Sequence, residues 1–591
     1  MASLHANAAP RYIAHVRKLG ISCRTLEVRD LMQLANHDIG HEHAYFRNWV
    51  TPRVDTLLGF GVPAKAIYQD QFIADKGEDF RVNTWLRSVY DVISMYRVNG
   101  DFMPGNVDDL AQSLAEKFGP IVKAIDAGLF AMNEILQGAG DLLELHGLPW
   151  PAGENRLTQV RRLQDAKWWR RRINAQVIQA VDQSARDLRR VKKGEECYLS
   201  DAAFQMYKDK VELSREMLGK MSATNEHGQE YSLADLSELG QSNPKHRFTE
   251  MMVRMRGIEK KAVDTGCTDG IFVTITCPSS YHLYKKGSSN DRYNGASPRL
   301  ANDYLCNVWV RIRALLAKEG IDYFGVRVSE PHHDGCPHWH LGIQIEAGRG
   351  AEVREIITRY GLMVDGGESG AKRYRVKIEK IDGRGIAGYL AKYISKSIEG
   401  TSLGADGDGN GNTGSIGASR VVAWSRVWNI RQFQFFGLEK VGIYRELRRV
   451  ARGRVPVAYM AAWEAADGGD YAEFGKQTKA AGIALYRAPW FDETDGETAN
   501  PYNGFGELKP DPVRGLVSAL LAAPLITRLM QWSLSFASDS AQPWTRVNNC
   551  NECNPVTGET IIFQAIESAK AVMVGGGALE FDDYWQYEAL H

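Results

Sequence analysis

Nowhere does the chain hold the roughly 18 consecutive apolar residues that a membrane-spanning helix needs. Its longest apolar run, residues 515–527, is interrupted by Pro524. Residues 1–20 carry Arg11, Arg17 and Lys18 but no continuous apolar stretch, so no secretory leader is expected. Cysteine is sparse, 8 in 591 residues, which excludes a disulfide framework and fits a reduced interior. No Gly-Lys-Ser/Thr phosphate-binding loop occurs, which argues against an NTP-driven motor. Net charge is absent too, with 72 basic and 72 acidic residues. A soluble, cytoplasmic chain remains, and at roughly 150 residues per domain it should form about three or four domains.

The charge is unevenly spread. Residues 455–591 hold 8 basic and 18 acidic side chains, whereas residues 158–193 hold 11 basic and 3 acidic ones. Within the latter lies Lys167-Trp168-Trp169-Arg170-Arg171-Arg172. Cations neutralise phosphates and indoles stack on bases, so the run suits single-stranded nucleic acid. The plainer reading is a solvated helix face with its tryptophans packed inward.

Residues 1–255 read mainly as helix, for example over 107–118, 120–137 and 159–192. A Gly/Pro-rich loop near Gly138–Gly153 divides them into a helical region, 1–150, and a basic helical region, 151–255. From there the pattern changes. Ile271–Cys277 (IFVTITC), Tyr323–Glu330, Pro337–Glu346 and Lys372–Ile381 read as strands; Pro298–Lys318, Ala351–Leu362 and Gly385–Ile398 read as helices. The resulting order, β-α-β-β-α-β and then a helix, is that of a ferredoxin-like antiparallel sheet in an α+β domain over 256–440. Gly400–Ala418 is glycine-rich and reads as a flexible loop. Residues 441–591 form an acidic, mixed C-terminal region with helices expected near 440–452 and 514–532.

The third strand contains His338-Trp339-His340. Alternation along a strand puts both imidazoles on one face, where they can bind one divalent cation, while Trp339, Leu341 and Ile343 point into the core. The preceding turn decides the place of Glu330. A three-residue loop, His333-Asp334-Gly335, sets Glu330 opposite His338 on the same face; a two-residue Asp-Gly turn sets it opposite Trp339, facing away. The three-residue loop is favoured because it supplies a third ligand.

In the last helix Tyr389 and Tyr393 lie four residues apart and share a face, with Lys392 and Lys396 beside them. Alone, the pair reads most simply as surface aromatics with solvated lysines. Joined to a metal pair it gains a chemistry. A phenol with a pKa near 10 is a poor nucleophile at neutral pH. A cation that offsets the charge of a phosphate, and a lysine that stabilises phenolate or transition state, would make attack feasible.

IFVTITC, EPHHDGCPHWH and YLAKY, in that order, resemble the three motifs of the HUH endonucleases. The two-tyrosine form resembles the replication initiator gene A proteins of tailed phages, over roughly residues 160–440. The resemblance implies His338 and His340 as metal ligands for Mg²⁺ or Mn²⁺, with Glu330 as a less secure third, and Tyr389 and Tyr393 as nucleophiles. It implies nicking of single-stranded DNA at a replication origin through a 5′-phosphotyrosine, with a 3′-hydroxyl left to start rolling-circle replication. A host DNA polymerase and a separate host helicase would then be partners, in the host bacterial cytoplasm. A relaxase or transposase of the same superfamily is the nearest rival, and a non-catalytic origin-binding protein the more distant one.

Three other signals are set aside. His37, His41 and His43 look like a metal cluster but read better as a polar surface. Cys550 and Cys553 make half a zinc site without a second pair. His332 and His333 are expected to be solvent-exposed in the turn.

Overall fold

The computed structural model describes residues 49–74, 80–94, 106–126, 132–145, 150–285, 287–381, 385–388, 390, 414–488 and 502–536. They divide into two units. One comprises Met1–Val191 with Leu199–Lys208 and Asn500–Lys509, and the other the rest. No helix among the described residues is long and apolar enough to cross a membrane.

The first unit is helical. Val107–Asp126 runs on through Pro120, where a break was expected, and Leu110, Leu114 and Phe118 are buried along it. Helix α1 (Ala166–Asp187) is capped by the Asp165 carboxylate, which accepts from the Lys167 N–H at 2.9 Å. Trp169, Ile173, Val177 and Val181 recur every four residues along α1 and all are buried.

The second unit carries the alternating pattern. In chain order it contains α2 (Pro244–Thr265), β1 (Asp269–Thr276), α3 (Pro298–Lys318), β2 (Tyr323–Pro331), β3 (Pro337–Ile345), α4 (Gly350–Gly361), β4 (Val376–Lys380), α5 (Gly414–Val427) and β5 (Phe433–Phe436). The five strands form one sheet in the order β4-β1-β3-β2-β5, with every neighbouring pair antiparallel. One face packs Trp339, Leu341 and Ile343 against α3 and α4. The opposite face packs Phe272, Phe324 and Val326 against Met251, Met255 and Ile258 of α2, and against Ile386 and Leu390. A buried tryptophan is worth roughly 3–5 kcal/mol against alanine. Slipping β3 by one residue would turn Trp339 out of its apolar cluster and drive both histidines into it, so its register is strongly determined.

Three expectations need correction. Residues 372–374 are not strand. Gly370, at φ 87°, opens a helical turn over Ala371–Tyr374, and the buried Arg375 guanidinium binds Glu368 and the Val364 and Asp365 carbonyls, so pairing starts at Val376. Residues 514–532 are not helix. Val513–Val517 and Leu525–Ile526 pair antiparallel, and Trp532–Phe536 pairs with Met221–Asn225. Pro524 interrupts the apolar run, and Gly515 lets the two backbones meet, since a Cβ there would lie 2.0 Å from the Leu525 oxygen. Residues 414–418 of the glycine-rich stretch open α5, which is anchored by buried Ala423, Trp424 and Val427. Residues 400–413 lie outside the described residues.

Beyond the sheet, Glu446 is buried between Arg449 and Arg528, whose Nη2 donates at 2.8 Å. Burial raises its pKa, but the two guanidiniums outweigh burial and hold it below the ordinary 4.5. A carboxylate with a depressed folded pKa contributes stability above its unfolded pKa and loses it as pH falls through the folded one. Glu446→Gln should therefore flatten the loss of melting temperature below about pH 4.5. Glu446→Ala should cost about 3–5 kcal/mol at neutral pH by stranding both arginines. Thermal melts across the acid range check both.

Candidate metal centre

His338 and His340 project from β3 on the face opposite Trp339, and Glu330 of β2 is the register partner of His338. The turn between the strands is the three-residue one. His332 N–H donates to the Cys336 oxygen at 2.7 Å, and Gly335 has φ 77°, the left-handed value that closes such a loop. Asp334 holds it in shape, accepting the Cys336 N–H at 3.0 Å and the Leu283 N–H at 2.9 Å. From α5, the Trp424 indole N–H donates to the Gly335 oxygen at 2.9 Å.

Ligand atoms of Glu330, His338 and His340 all lie within 4.8 Å of one another. His340 Nε2 stands 3.8 Å from Glu330 Oε2, too long for a hydrogen bond but suited to two ligands sharing one ion at about 2.1 Å each. On the other side of the ring, His340 Nδ1 lies 3.0 Å from the Thr274 hydroxyl, which fixes the ring and leaves Nε2 toward Glu330. Phe272 stacks on the same imidazole at 5.6 Å.

His338 Nδ1 is buried with no hydrogen-bond partner among the described residues. Burial, then the neighbouring His332 and His340, press the His338 pKa well below its ordinary value. The ring is neutral at pH 7 and offers a lone pair, as a metal ligand must. His332 is not solvent-exposed as expected. Its ring centroid lies 4.1 Å from that of His338, its Nε2 is buried, and burial lowers its pKa to about 3. His333 is exposed and stacks on Tyr198. Burial opposes a charge on His282, but Cys336 and the Asp334 carboxylate, 3.2 Å from Nδ1, outweigh it and hold the pKa well above the usual range.

The segment that opens at Gly385 packs on the histidine face. A Cβ at Gly342, two residues along β3 from His340, would lie 2.8 Å from Ile386 Cγ2 and 3.2 Å from Leu390 Cδ1. Tyr389, Lys392, Tyr393 and Lys396 lie outside the described residues, as do His37, His41, His43, Cys550 and Cys553.

Residues 152–401 match the family described as bacteriophage replication gene A protein. That stretch of the chain belongs to the family. It is 34% identical to the replication protein of Haemophilus phage HP1 over 418 residues, 66% of this chain and 53% of that protein. It is 35% identical over 414 residues to the replication gene A protein of Escherichia phage 186, covering 66% and 59% of the two chains. A probable replication endonuclease from a prophage-like region of Salmonella paratyphi A is 30% identical over 415 residues, 65% and 51% of the two chains. The match thus spans between about half and three fifths of the length of these relatives. No solved structure matches the chain.

The segment matching the gene A protein family contains the triad and both tyrosines, and also the basic run of α1. There the structure separates the two indoles. Trp169 is fully buried, donates to the Leu163 oxygen at 2.7 Å and stacks on Phe118, so it cannot meet a base. Trp168 is half-buried against it. Lys167 and Arg170 are exposed, Arg170 pairing with Asp108, while Arg171 and Arg172 are partly buried. Thr274, His282, Asp334 and Trp424 were not anticipated. The alternation of IFVTITC does carry a signal for Thr274, because it places that hydroxyl on one face with Thr276, away from the apolar core.

Proposed function

We propose that this chain is a phage replication initiator that nicks one DNA strand at an origin through a 5′-phosphotyrosine. The observation that carries the reading is the convergence of Glu330, His338 and His340 on one sheet face, with the segment leading into Tyr389 and Tyr393 packed two residues away on Gly342. Topology supports it. The chain order β1-α3-β2-β3-α4-β4 and the spatial order β4-β1-β3-β2 are those of a ferredoxin-like sheet, which supports reading residues 256–440 as an HUH endonuclease domain. The names of the relatives, replication proteins and a probable replication endonuclease, agree.

Two imidazoles and a carboxylate make a mixed nitrogen and oxygen site for a divalent cation, which we read as Mg²⁺ or Mn²⁺ with Glu330 and phosphate oxygens as the hard ligands. Such an ion would polarise the scissile phosphate and offset its charge. The protein's own groups do the rest. A phenol of Tyr389 or Tyr393 gives up its proton and bonds to phosphorus. The bond from phosphorus to the 3′ oxygen breaks, and that oxygen leaves as a hydroxyl. Lys392 and Lys396 stabilise the phenolate and the charge on the phosphoryl oxygens. The covalent link conserves the energy of the broken bond, so the strand can be rejoined without ATP. The free 3′ end primes a host polymerase in the host cytoplasm, and a separate host helicase opens the duplex. Incubation with single-stranded origin DNA and Mg²⁺ or Mn²⁺ should yield a covalent protein–DNA band on denaturing gels. No band with either ion would overturn the reading.

The exposed part of the basic run holds DNA in this scheme, and Trp169 is excluded from that role. Substituting Arg170, Arg171 and Arg172 together should weaken binding and lower the salt slope by about 0.7 per lost phosphate contact. An unchanged slope in fluorescence anisotropy would make α1 a purely structural face.

A further inference from the structure

A second basic surface lies beside the triad. The Thr276 N–H donates to the Arg375 oxygen at 2.9 Å, Thr276 is the register partner of His338, and His338 that of Glu330. Arg375, Thr276, His338 and Glu330 therefore form one row across the sheet. At about 4.8 Å per strand, the Arg375 backbone stands about 10 Å from His338. Immediately before it, Lys372, Arg373 and Tyr374 are all exposed, Tyr374 by 66%.

The Tyr374 ring is held in place. It rests over Gly370, where a Cβ would lie 3.1 Å from Cδ2, and the Arg373 guanidinium sits 5.2 Å from its centroid. The turn beneath is tied to the neighbouring loop through Glu368, which accepts from the Ser279 hydroxyl at 2.6 Å and pairs with Arg375 and Arg292. Lys285 of that loop is exposed as well. The acids on these segments besides Glu368 are Asp291, Asp365 and Glu379, and Glu379 is taken by Lys377 at 2.7 Å. A large exposed aromatic beside two exposed cations, braced at the end of the sheet that bears the triad, has no core to fill. A π face set among cations is the means by which proteins hold single strands without reading their sequence.

We propose that Lys372, Arg373 and Tyr374 form a docking platform for single-stranded DNA flanking the scissile phosphate, with one base stacked on Tyr374. The proposal rests on the reading of the chain as a single-strand endonuclease and adds the surface that holds the strand. Lys372 and Arg373 neutralise phosphates, and Tyr374 fixes the path of the strand past His338.

The test uses the full chain and a fluorescein-labelled oligothymidylate, with anisotropy read across a NaCl series. Replacing Lys372 and Arg373 with alanine should lower the salt slope by about 1.4, two contacts at about 0.7 each. Tyr374→Ala should weaken binding roughly tenfold with the slope kept, and Tyr374→Trp should restore it. Mn²⁺ affinity by calorimetry, unchanged in each variant, shows that the fold and the triad survive. Wild-type affinity and slope in all variants would overturn the platform. The covalent adduct of the wild-type chain is scored separately. Its absence overturns the nuclease reading, whereas its presence together with unaffected binding in the variants overturns only the platform.

Discussion

Alanine at His338 or His340 should cut covalent nicking about a thousandfold while leaving affinity for single-stranded DNA nearly intact. Charge stabilisation at a transferring phosphoryl group by a bound cation is worth several kcal/mol, and each 1.4 kcal/mol is tenfold in rate. Affinity depends on contacts spread along the backbone and should be little affected by one centre. His340 is held by Thr274 and Phe272, so its loss also leaves the Thr274 hydroxyl without that partner. Adduct yield against time and Mn²⁺ titration calorimetry measure the two halves of the prediction. Glu330→Ala should shift the metal concentration needed for half-maximal cleavage upward. A wild-type metal response in that variant would remove Glu330 as a ligand, and cleavage undiminished in excess EDTA would remove the metal altogether.

What could be seen in the sequence was what depends on local period. A His-x-His on a strand faces one way whatever the rest of the fold does, and the ends of α3 follow from Ser297 and Pro298 at one side and Gly320 at the other. The sequence offers only the third ligand as a reason for the three-residue turn, whereas the structure supplies a physical one, Gly335 in the left-handed region with Asp334 capping the loop. Where long-range packing decides, local pattern was mute. Nothing local shows which of two adjacent indoles turns inward; Phe118, about 50 residues away, takes Trp169. The strands at 513–526 look helical until one knows that Gly515 must meet a second backbone. Asp334 and His282, or Trp424 and Gly335, are partners only once the chain has folded. The site is thus legible as a ligand list and illegible as a supported geometry.

The double substitution Tyr389→Phe with Tyr393→Phe should abolish covalent adducts, whereas each single substitution should leave some. One nucleophile suffices to open an origin, but a rolling circle must also close. After one round the regenerated origin has to be cut while the first 5′ end is still attached to the protein. At helical spacing two phenols four residues apart have Cβ atoms roughly 5–6 Å apart, close enough to serve the same phosphate-binding site in turn. The second cut releases a 3′-hydroxyl that attacks the first phosphotyrosine. The new P–O3′ bond closes the circle, the first phenol takes back its proton, and the tyrosines exchange roles. Single variants should therefore nick short oligonucleotides yet transfer strands poorly from an already loaded enzyme. Mass spectrometry can map the adduct on each variant, and a second labelled oligonucleotide added afterwards reports transfer. If one tyrosine forms every adduct and loss of its neighbour leaves transfer intact, the alternation is wrong and the second phenol has no part in the chemistry.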